Sequence, residues 1–189
     1  MMIFDSLIAG CWLTFVFVWI ISSFGAKKTI PGNILKLRFW INLLLFIVVI
    51  LFCNVILQKV SLADVHILPS SPFVQVVGVV ICATGIAFAI WARIHLGKNW
   101  GMPMSQKEHP ELVTTGPYHL VRHPIYTGIC FALLGSAVTE GFPFFIGSVF
   151  VIGFFISSAK KEEKMMLDQF SDVYKEYSRH TKRIIPFVY

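Results

Sequence analysis

The stretch Leu112–Gly128, LVTTGPYHLVRHPIYTG, lies between two strongly apolar parts of the chain and decides how the chain is organised. A Gly-Pro pair in its middle predicts a turn. Pro124 disfavours the helical conformation at His123 and suits the first turn of a helix, so a helix should begin there. Arg122 and His123 would then lie just outside a helix N-terminus, which favours a carboxylate or a phosphate. The other reading of these residues is a simple interfacial anchor for a membrane helix.

The composition indicates an integral membrane protein. Of the 189 residues, 56% are hydrophobic and only 14% are charged, which is too apolar for a soluble domain of this size. The net charge of +6 would suit nucleic acid, but its distribution follows membrane topology, so no nucleic-acid partner is expected. The four cysteines occur in separate apolar runs and form no C-x-x-C pair, and no metal is expected there.

Apolar runs and their lengths predict an all-α, polytopic protein with about five transmembrane helices. Three runs have the roughly 20 residues needed to cross a bilayer, and two later runs are only about 15 residues long. The short pair predicts a tight helical hairpin, followed by an amphipathic C-terminal helix with apolar residues at three- and four-residue spacing and an extended apolar tail. The five runs are Ile3–Phe24, Leu37–Leu57, Phe73–Ala92, Pro124–Val138 and Phe142–Ser157.

The basic residues predict the orientation of these helices. Four lie in the 25–38 loop, four in the polar connector 93–123 and seven after residue 157, whereas Lys59 alone lies on the other side. By the positive-inside rule the connector and C-terminus face the cytoplasm and the N-terminus faces away. The chain thus divides into three N-terminal helices, 1–92, and a region 93–189 that holds the connector, the hairpin and the last helix.

Concentrated polar features all fall on the predicted cytoplasmic side, whereas the spans carry almost no ionisable groups, which disfavours a transporter. His119 and His123 stand four apart, but two prolines bracket them too closely for a helical metal or haem site. Glu162 and Glu163 directly follow a membrane run. They are either helix surface or a carboxylate pair that binds something at the membrane edge.

One combination of motifs resembles a known family. The pattern L-V-T-x-G-P-Y-x-x-V-R-H-P-x-Y-x-G, then the Glu162-Glu163 pair, F-x-x-x-Y-x-x-Y and a final I-P, is similar to the isoprenylcysteine carboxyl methyltransferases. Their broader relatives include the membrane phospholipid N-methyltransferases. The resemblance covers residues 93–187. It implies a five-helix membrane fold and S-adenosylmethionine as the methyl donor, bound on the cytosolic side.

The resemblance also implies a set of donor-binding positions. They are Gln106, Pro110, Glu111, Leu112, Val113, Tyr118, His123, Pro124, Ile125, Tyr126 and Glu162. Residue chemistry agrees with this donor, since a carboxylate suits the helix N-terminus beside His123 and a sulfonium suits the face of a tyrosine. The carboxylate of Glu162 suits amino or hydroxyl groups.

The acceptor is less constrained. The family commonly has an arginine four residues before its donor-binding glutamate, and this chain has Ser158 there, with Lys161 a weak substitute on the substrate side. A lipophilic acceptor from the bilayer is expected, either a prenylcysteine-type carboxylate that is O-methylated or a phospholipid-type amine. A carboxylate needs no general base, whereas an amine would need one, and the candidates are His119, His123 and Glu162.

The alternative from a different functional class is a non-enzymatic membrane protein that binds haem or quinone. A Soret band in the purified protein, without affinity for S-adenosylhomocysteine, would distinguish it from a methyltransferase.

Overall fold

The computed structural model describes residues 2–23, 68–69, 71–100, 111–186 and 188. In chain order the helices are α1 (Met2–Ser23), α2 (Pro72–Leu96), the short α3 (Pro117–Leu120), α4 (Pro124–Glu140) and α5 (Phe142–His180), with a 3₁₀ turn at Gly97–Asn99. Within these residues no β-strand forms, although Val121 and Lys182 make an isolated parallel bridge. The all-α prediction is confirmed.

Three of the helices are long and apolar enough to cross a membrane. They cover Ile3–Ser22, Pro72–Asn99 and Phe144–His180, which confirms a polytopic membrane protein. Helix α4 has 17 residues and a length of about 26 Å, and Gly141 alone joins it to α5 as the second member of a hairpin. The predicted run Leu37–Leu57 lies outside the described residues, so the total of five spans stays a prediction.

Two predicted boundaries were wrong. Helix α2 continues past Ala92 to Leu96, so Arg93 belongs to a helix rather than to the connector. Helix α4 includes Thr139 and Glu140, which the sequence reading assigned to the turn. The helix ends only at Gly141, because its φ of 91° is one that glycine adopts without strain, and its N–H donates to the carbonyl of Ala137.

Helices α2 and α4 pack backbone against backbone. A Cβ atom added to Gly85 would lie 2.5 Å from the Ala132 nitrogen, and one added to Gly135 would lie 2.4 Å from the Cys82 nitrogen. Only glycine permits this approach. In a membrane, where apolar side chains gain little by leaving lipid, such close contact is a main source of helix association. This helix pair is the scaffold against which α1 and α5 pack.

Arg93 closes the end of this scaffold. Its side chain is 1% exposed, and its guanidinium lies 5.8 Å from the ring centre of Trp19 and 4.4 Å from that of Trp100. It donates to the carbonyl of Gly97 at 3.0 Å and to that of Ser22. The charge is therefore shared between two indole faces and two carbonyls, and it joins the end of α1 to the end of α2.

Helix α5 reverses direction at Ser171, within the segment that the spacing of apolar residues assigned to a regular amphipathic helix. Ser171 has φ 46° and ψ −119°, values that are not helical. The guanidinium of Arg122 bonds both Glu163 and the carbonyl of Ser178. Those two residues would lie about 22 Å apart along a straight helix, so the chain must fold back. We call residues 142–170 the outgoing arm and residues 172–180 the return arm.

We predict that Ser171→Gly stabilises the protein by about 1 kcal/mol. A serine at positive φ is strained, and glycine removes the clash of its Cβ atom with the backbone, offset in part by greater freedom in the unfolded chain. The measurement is unfolding by SDS in mixed micelles. Ser157→Gly is the control, because a glycine inside a regular helix should lower stability by a similar amount. A loss of stability in Ser171→Gly would contradict the strain at this turn.

Candidate functional site

The predicted turn and helix start form as the sequence indicates, and we call residues 116–123 the elbow and the described residues after α5 the tail. Gly116 has φ 58°, the short α3 follows it, and His123 is the non-helical residue before α4. The C-terminal residues lie extended beside this elbow. The N–H of Arg122 donates to the carbonyl of Lys182 at 2.8 Å, and the N–H of His123 donates to that of Arg183 at 3.0 Å. The elbow is thus paired with a segment sixty residues further along the chain.

Glu163 joins the elbow, the outgoing arm and the tail. Its Oε1 accepts from Arg122 Nε at 2.8 Å and from Arg183 Nε at 2.9 Å, while its Oε2 accepts from Arg183 Nη2 at 2.6 Å. The side chain is only 11% exposed. A carboxylate this buried is tolerated because two guanidinium groups neutralise it and satisfy both of its oxygens.

Glu162 points to a different set of partners. Its Oε1 accepts a hydrogen bond of 2.6 Å from the hydroxyl of Tyr126, and its Oε2 lies 3.5 Å from His123 Nδ1. The ring of Tyr126 stacks between Phe155, at 4.5 Å between centres, and His123, at 5.4 Å. The structure therefore brings together three of the predicted donor-site residues: His123, Tyr126 and Glu162.

The charge on His123 is set by both glutamates. Burial lowers the pKa of its imidazole, but hydrogen bonding and charge from Glu162 and Glu163 outweigh burial, so the pKa is raised above its usual value. This favours the protonated ring. Nε2 is buried and lies 3.4 Å from Glu163 Oε1 without hydrogen-bond geometry. His123 is accordingly suited to holding an anion rather than to accepting a proton.

Tyr118 occupies the other side of the elbow. Its ring is buried and stacks on His95 with 6.4 Å between centres, and its carbonyl accepts from the Tyr177 hydroxyl at 2.5 Å. Burial raises the pKa of the Tyr118 phenol, so it stays neutral. The return arm therefore reaches the elbow at two points, Tyr118 and Arg122.

The remaining predicted residues differ in their surroundings. Pro124 is buried at the start of α4, Ile125 packs beside Tyr126, Leu112 and Val113 are half-buried, and Gln106 and Pro110 lie outside the described residues. Glu111 is exposed and accepts from Asn99 Nδ2 at 3.1 Å. His119 is exposed on α3, and no hydrogen bond joins it to Glu162 or His123 in the described part of the chain. Ser158 is buried, whereas Lys161 is exposed.

Sequence reasoning missed the arginine partners of Glu163. Arg122 was assigned to an anion site or an anchor, and Arg183 was counted only as a topology signal. The adjacency of the two glutamates was the available signal. Neighbouring residues on a helix point about 100° apart, so Glu162 and Glu163 cannot both face the same group of side chains in the same way.

The elbow and the glutamate pair lie in a part of the chain that matches known proteins. Residues 73–173 match the phospholipid methyltransferase family. The chain belongs to this family. Protein-S-isoprenylcysteine O-methyltransferase B of Arabidopsis thaliana is 30% identical over 115 residues, which is 60% of this chain and 56% of that protein. The chain thus spans just over half the length of this curated relative. The resemblance seen in the motifs is confirmed at the level of the family.

We predict that Glu163→Gln destabilises the protein by about 3 kcal/mol, because it leaves two largely buried guanidinium groups without a counter-charge. SDS-induced unfolding in mixed micelles is the measurement. Glu162→Gln is the matched control, since a glutamine there can still accept from Tyr126 and should change stability little. Equal stability of the two variants would show that the Glu163 cluster does not hold the fold.

Proposed function

We propose that this protein is an S-adenosylmethionine-dependent membrane methyltransferase that acts on a lipophilic acceptor at the cytosolic membrane face. The observation that carries the proposal is the contact of Tyr126 with Glu162 at 2.6 Å, beside the stacked ring of His123. These residues come from two helices and meet at the motif that the family match covers.

The predicted donor-binding residues carry chemical groups that suit the parts of S-adenosylmethionine. His123 lies at the N-terminus of α4, so a protonated imidazole and helix N–H groups can hold the methionine carboxylate. The ring of Tyr118 suits a sulfonium, whereas the ring of Tyr126 already stacks between His123 and Phe155. The carboxylate of Glu162 suits ammonium or ribose hydroxyl groups. When bound, the donor supplies an electrophilic methyl group.

The task of the surrounding residues is positioning and exclusion of water. The stacked rings of His123, Tyr126 and Phe155 form an aromatic wall that begins at the elbow. Such a wall fixes the reacting groups relative to each other, and fixed geometry is the main contribution that a protein makes to a direct displacement.

A carboxylate is the acceptor that this site favours. The raised pKa of His123 favours the ring that already carries its proton, and the Glu162 Oε1 already accepts from Tyr126, so neither group is placed to take a proton from an acceptor. A carboxylate presents its lone pair at neutral pH without a base, whereas an ammonium group must first lose a proton. The name of the Arabidopsis relative, an isoprenylcysteine O-methyltransferase, agrees with this choice.

A phospholipid-type amine is the second candidate. Ser158, four residues before Glu162, is buried and uncharged, so that position offers no cation to a substrate carboxylate. The family description, phospholipid methyltransferase, supports this alternative. Lys161 is exposed and lies about 100° around the helix from Glu162.

The donor site is tested by titrating the detergent-solubilised protein with S-adenosylhomocysteine in a calorimeter. His123→Ala and Glu162→Ala should each weaken binding by about tenfold or more, since each removes a charge-assisted contact. Glu176→Ala is the control, because this exposed glutamate pairs with Arg179 on the far end of the return arm. Wild-type affinity in both site variants would remove them from the donor site.

The charge on His123 predicts a pH dependence. Affinity for S-adenosylhomocysteine should be full below the pKa of His123, which is raised above 6.5, and should fall as the pH rises through it. The change should vanish in His123→Gln, which keeps a hydrogen-bond donor without the titration. A pH profile shared by wild type and His123→Gln would assign the titration to another group.

The acceptor class is decided by incubating the purified protein with methyl-labelled S-adenosylmethionine and a lipid extract of the source organism. We expect label in lipid that is released as volatile methanol in base, because methyl esters hydrolyse whereas N-methyl groups do not. Base-stable lipid label would favour the amine. Label only in a water-soluble product would contradict a lipophilic acceptor of either kind.

A further inference from the structure

A small basic cavity lies between the elbow and the C-terminal segment of the chain, and neither Tyr126 nor Glu162 lines it. Its volume is about 240 Å³, and four cationic side chains line it together with the polar residues Ser178 and Thr181. The cations are Arg122, Arg179, Lys182 and Arg183. We call this the tail cavity. Apart from Arg122, the residues that line it belong to the return arm and the tail and follow residue 173, where the family match ends.

The cavity carries more positive charge than its own carboxylates neutralise. Glu163 is shared by Arg122 and Arg183, and Glu176 pairs with Arg179 and contacts His180. Among the described residues, the salt bridges of these lining cations involve two carboxylates, those of Glu163 and Glu176. Lys182 has an exposed side chain, and no carboxylate partner for it occurs within the described ranges. Basic side chains therefore predominate among the described residues that line the cavity.

Apolar side chains flank these cations. Val188 lines the cavity and is 70% exposed, and Ile185 and Leu120 nearby on the tail and elbow are also exposed. Arg122 lies two residues before the start of α4, so the cavity is at the polar end of the apolar hairpin. Cationic side chains beside exposed aliphatic ones, at the polar end of a membrane helix, are typical of surfaces that contact lipid headgroups and the adjoining part of the acyl chains.

The size of the cavity limits its ligand. Pockets that enclose drug-sized molecules have volumes of roughly 300–1,000 Å³, so the tail cavity suits a compact polar group rather than a whole nucleoside-containing donor. The guanidinium groups and hydroxyls present match phosphate oxygens. We propose that the tail cavity binds the phosphate of an anionic phospholipid headgroup. This site is separate from the Tyr126–Glu162 site and does not depend on methyl transfer.

A headgroup bound there bridges two parts of the fold. Arg122 belongs to the elbow, whereas Lys182 and Arg183 belong to the tail that pairs with it through main-chain hydrogen bonds. A phosphate held by both parts stabilises their pairing, and with it the position of Glu163. The amount of anionic lipid in the membrane thereby influences how firmly the elbow, which includes His123, is held against the tail.

Native mass spectrometry of the detergent-solubilised full chain tests this proposal, with phosphatidylglycerol and phosphatidylcholine of equal chain length as probes. Wild type should bind phosphatidylglycerol more tightly. Lys182→Ala should weaken that binding about fivefold and Lys182→Glu about 25-fold, in proportion to charge. These variants keep the fold, because Lys182 pairs with the elbow through its main chain rather than its side chain.

Lys175→Glu is the matched control, since Lys175 is an exposed lysine of the return arm that does not line the cavity. Equal loss of phosphatidylglycerol binding in Lys175→Glu and Lys182→Glu would overturn the site in favour of a general charge effect. Equal binding of the two lipids by wild type would overturn it as well. Inorganic phosphate that binds as tightly as phosphatidylglycerol would overturn the lipid assignment, because the acyl chains would then contribute nothing.

Discussion

A buried carboxylate shared by two arginines holds the elbow, the outgoing arm and the tail of this protein together. Glu163 accepts from Arg122 of the elbow and from Arg183 of the tail. Neither arginine could remain this buried without the carboxylate, and the carboxylate could not remain buried without them. Because the three charged groups come from three separated segments, the ion cluster requires that the elbow, the outgoing arm and the tail meet at one place.

The reversal at Ser171 is what makes that meeting possible. It carries the return arm back so that Tyr177 reaches the carbonyl of Tyr118 and the carbonyls of Ser178 and Thr181 reach Arg122. The strain of a serine at positive φ is offset by these contacts, which a straight helix would forfeit. At Ser171 the tertiary hydrogen bonds outweigh the preference of a serine backbone for negative φ.

The adjacent glutamates point in different directions from the helix, although both lie near His123. Glu163 faces the arginines, whereas Glu162 faces Tyr126 and His123. The structural cluster fixes the helix rotation, and so it also fixes the direction in which Glu162 points. A site built in this way is preorganised by its neighbour, which suits a reaction that depends on positioning.

The membrane helices, the start of α4 and the family could be predicted from the sequence alone. Composition and run length required membrane helices, and the proline after His123 required a helix start, because both are local or bulk properties. The motif around Arg122 and the glutamate pair was enough to place the chain in its family. The partners of Glu163 were not predictable, since they depend on a chain reversal that no glycine or proline marks. Only the tertiary structure decided that the tail's basic residues neutralise a buried carboxylate, because long-range electrostatic pairing leaves no periodic pattern in a sequence.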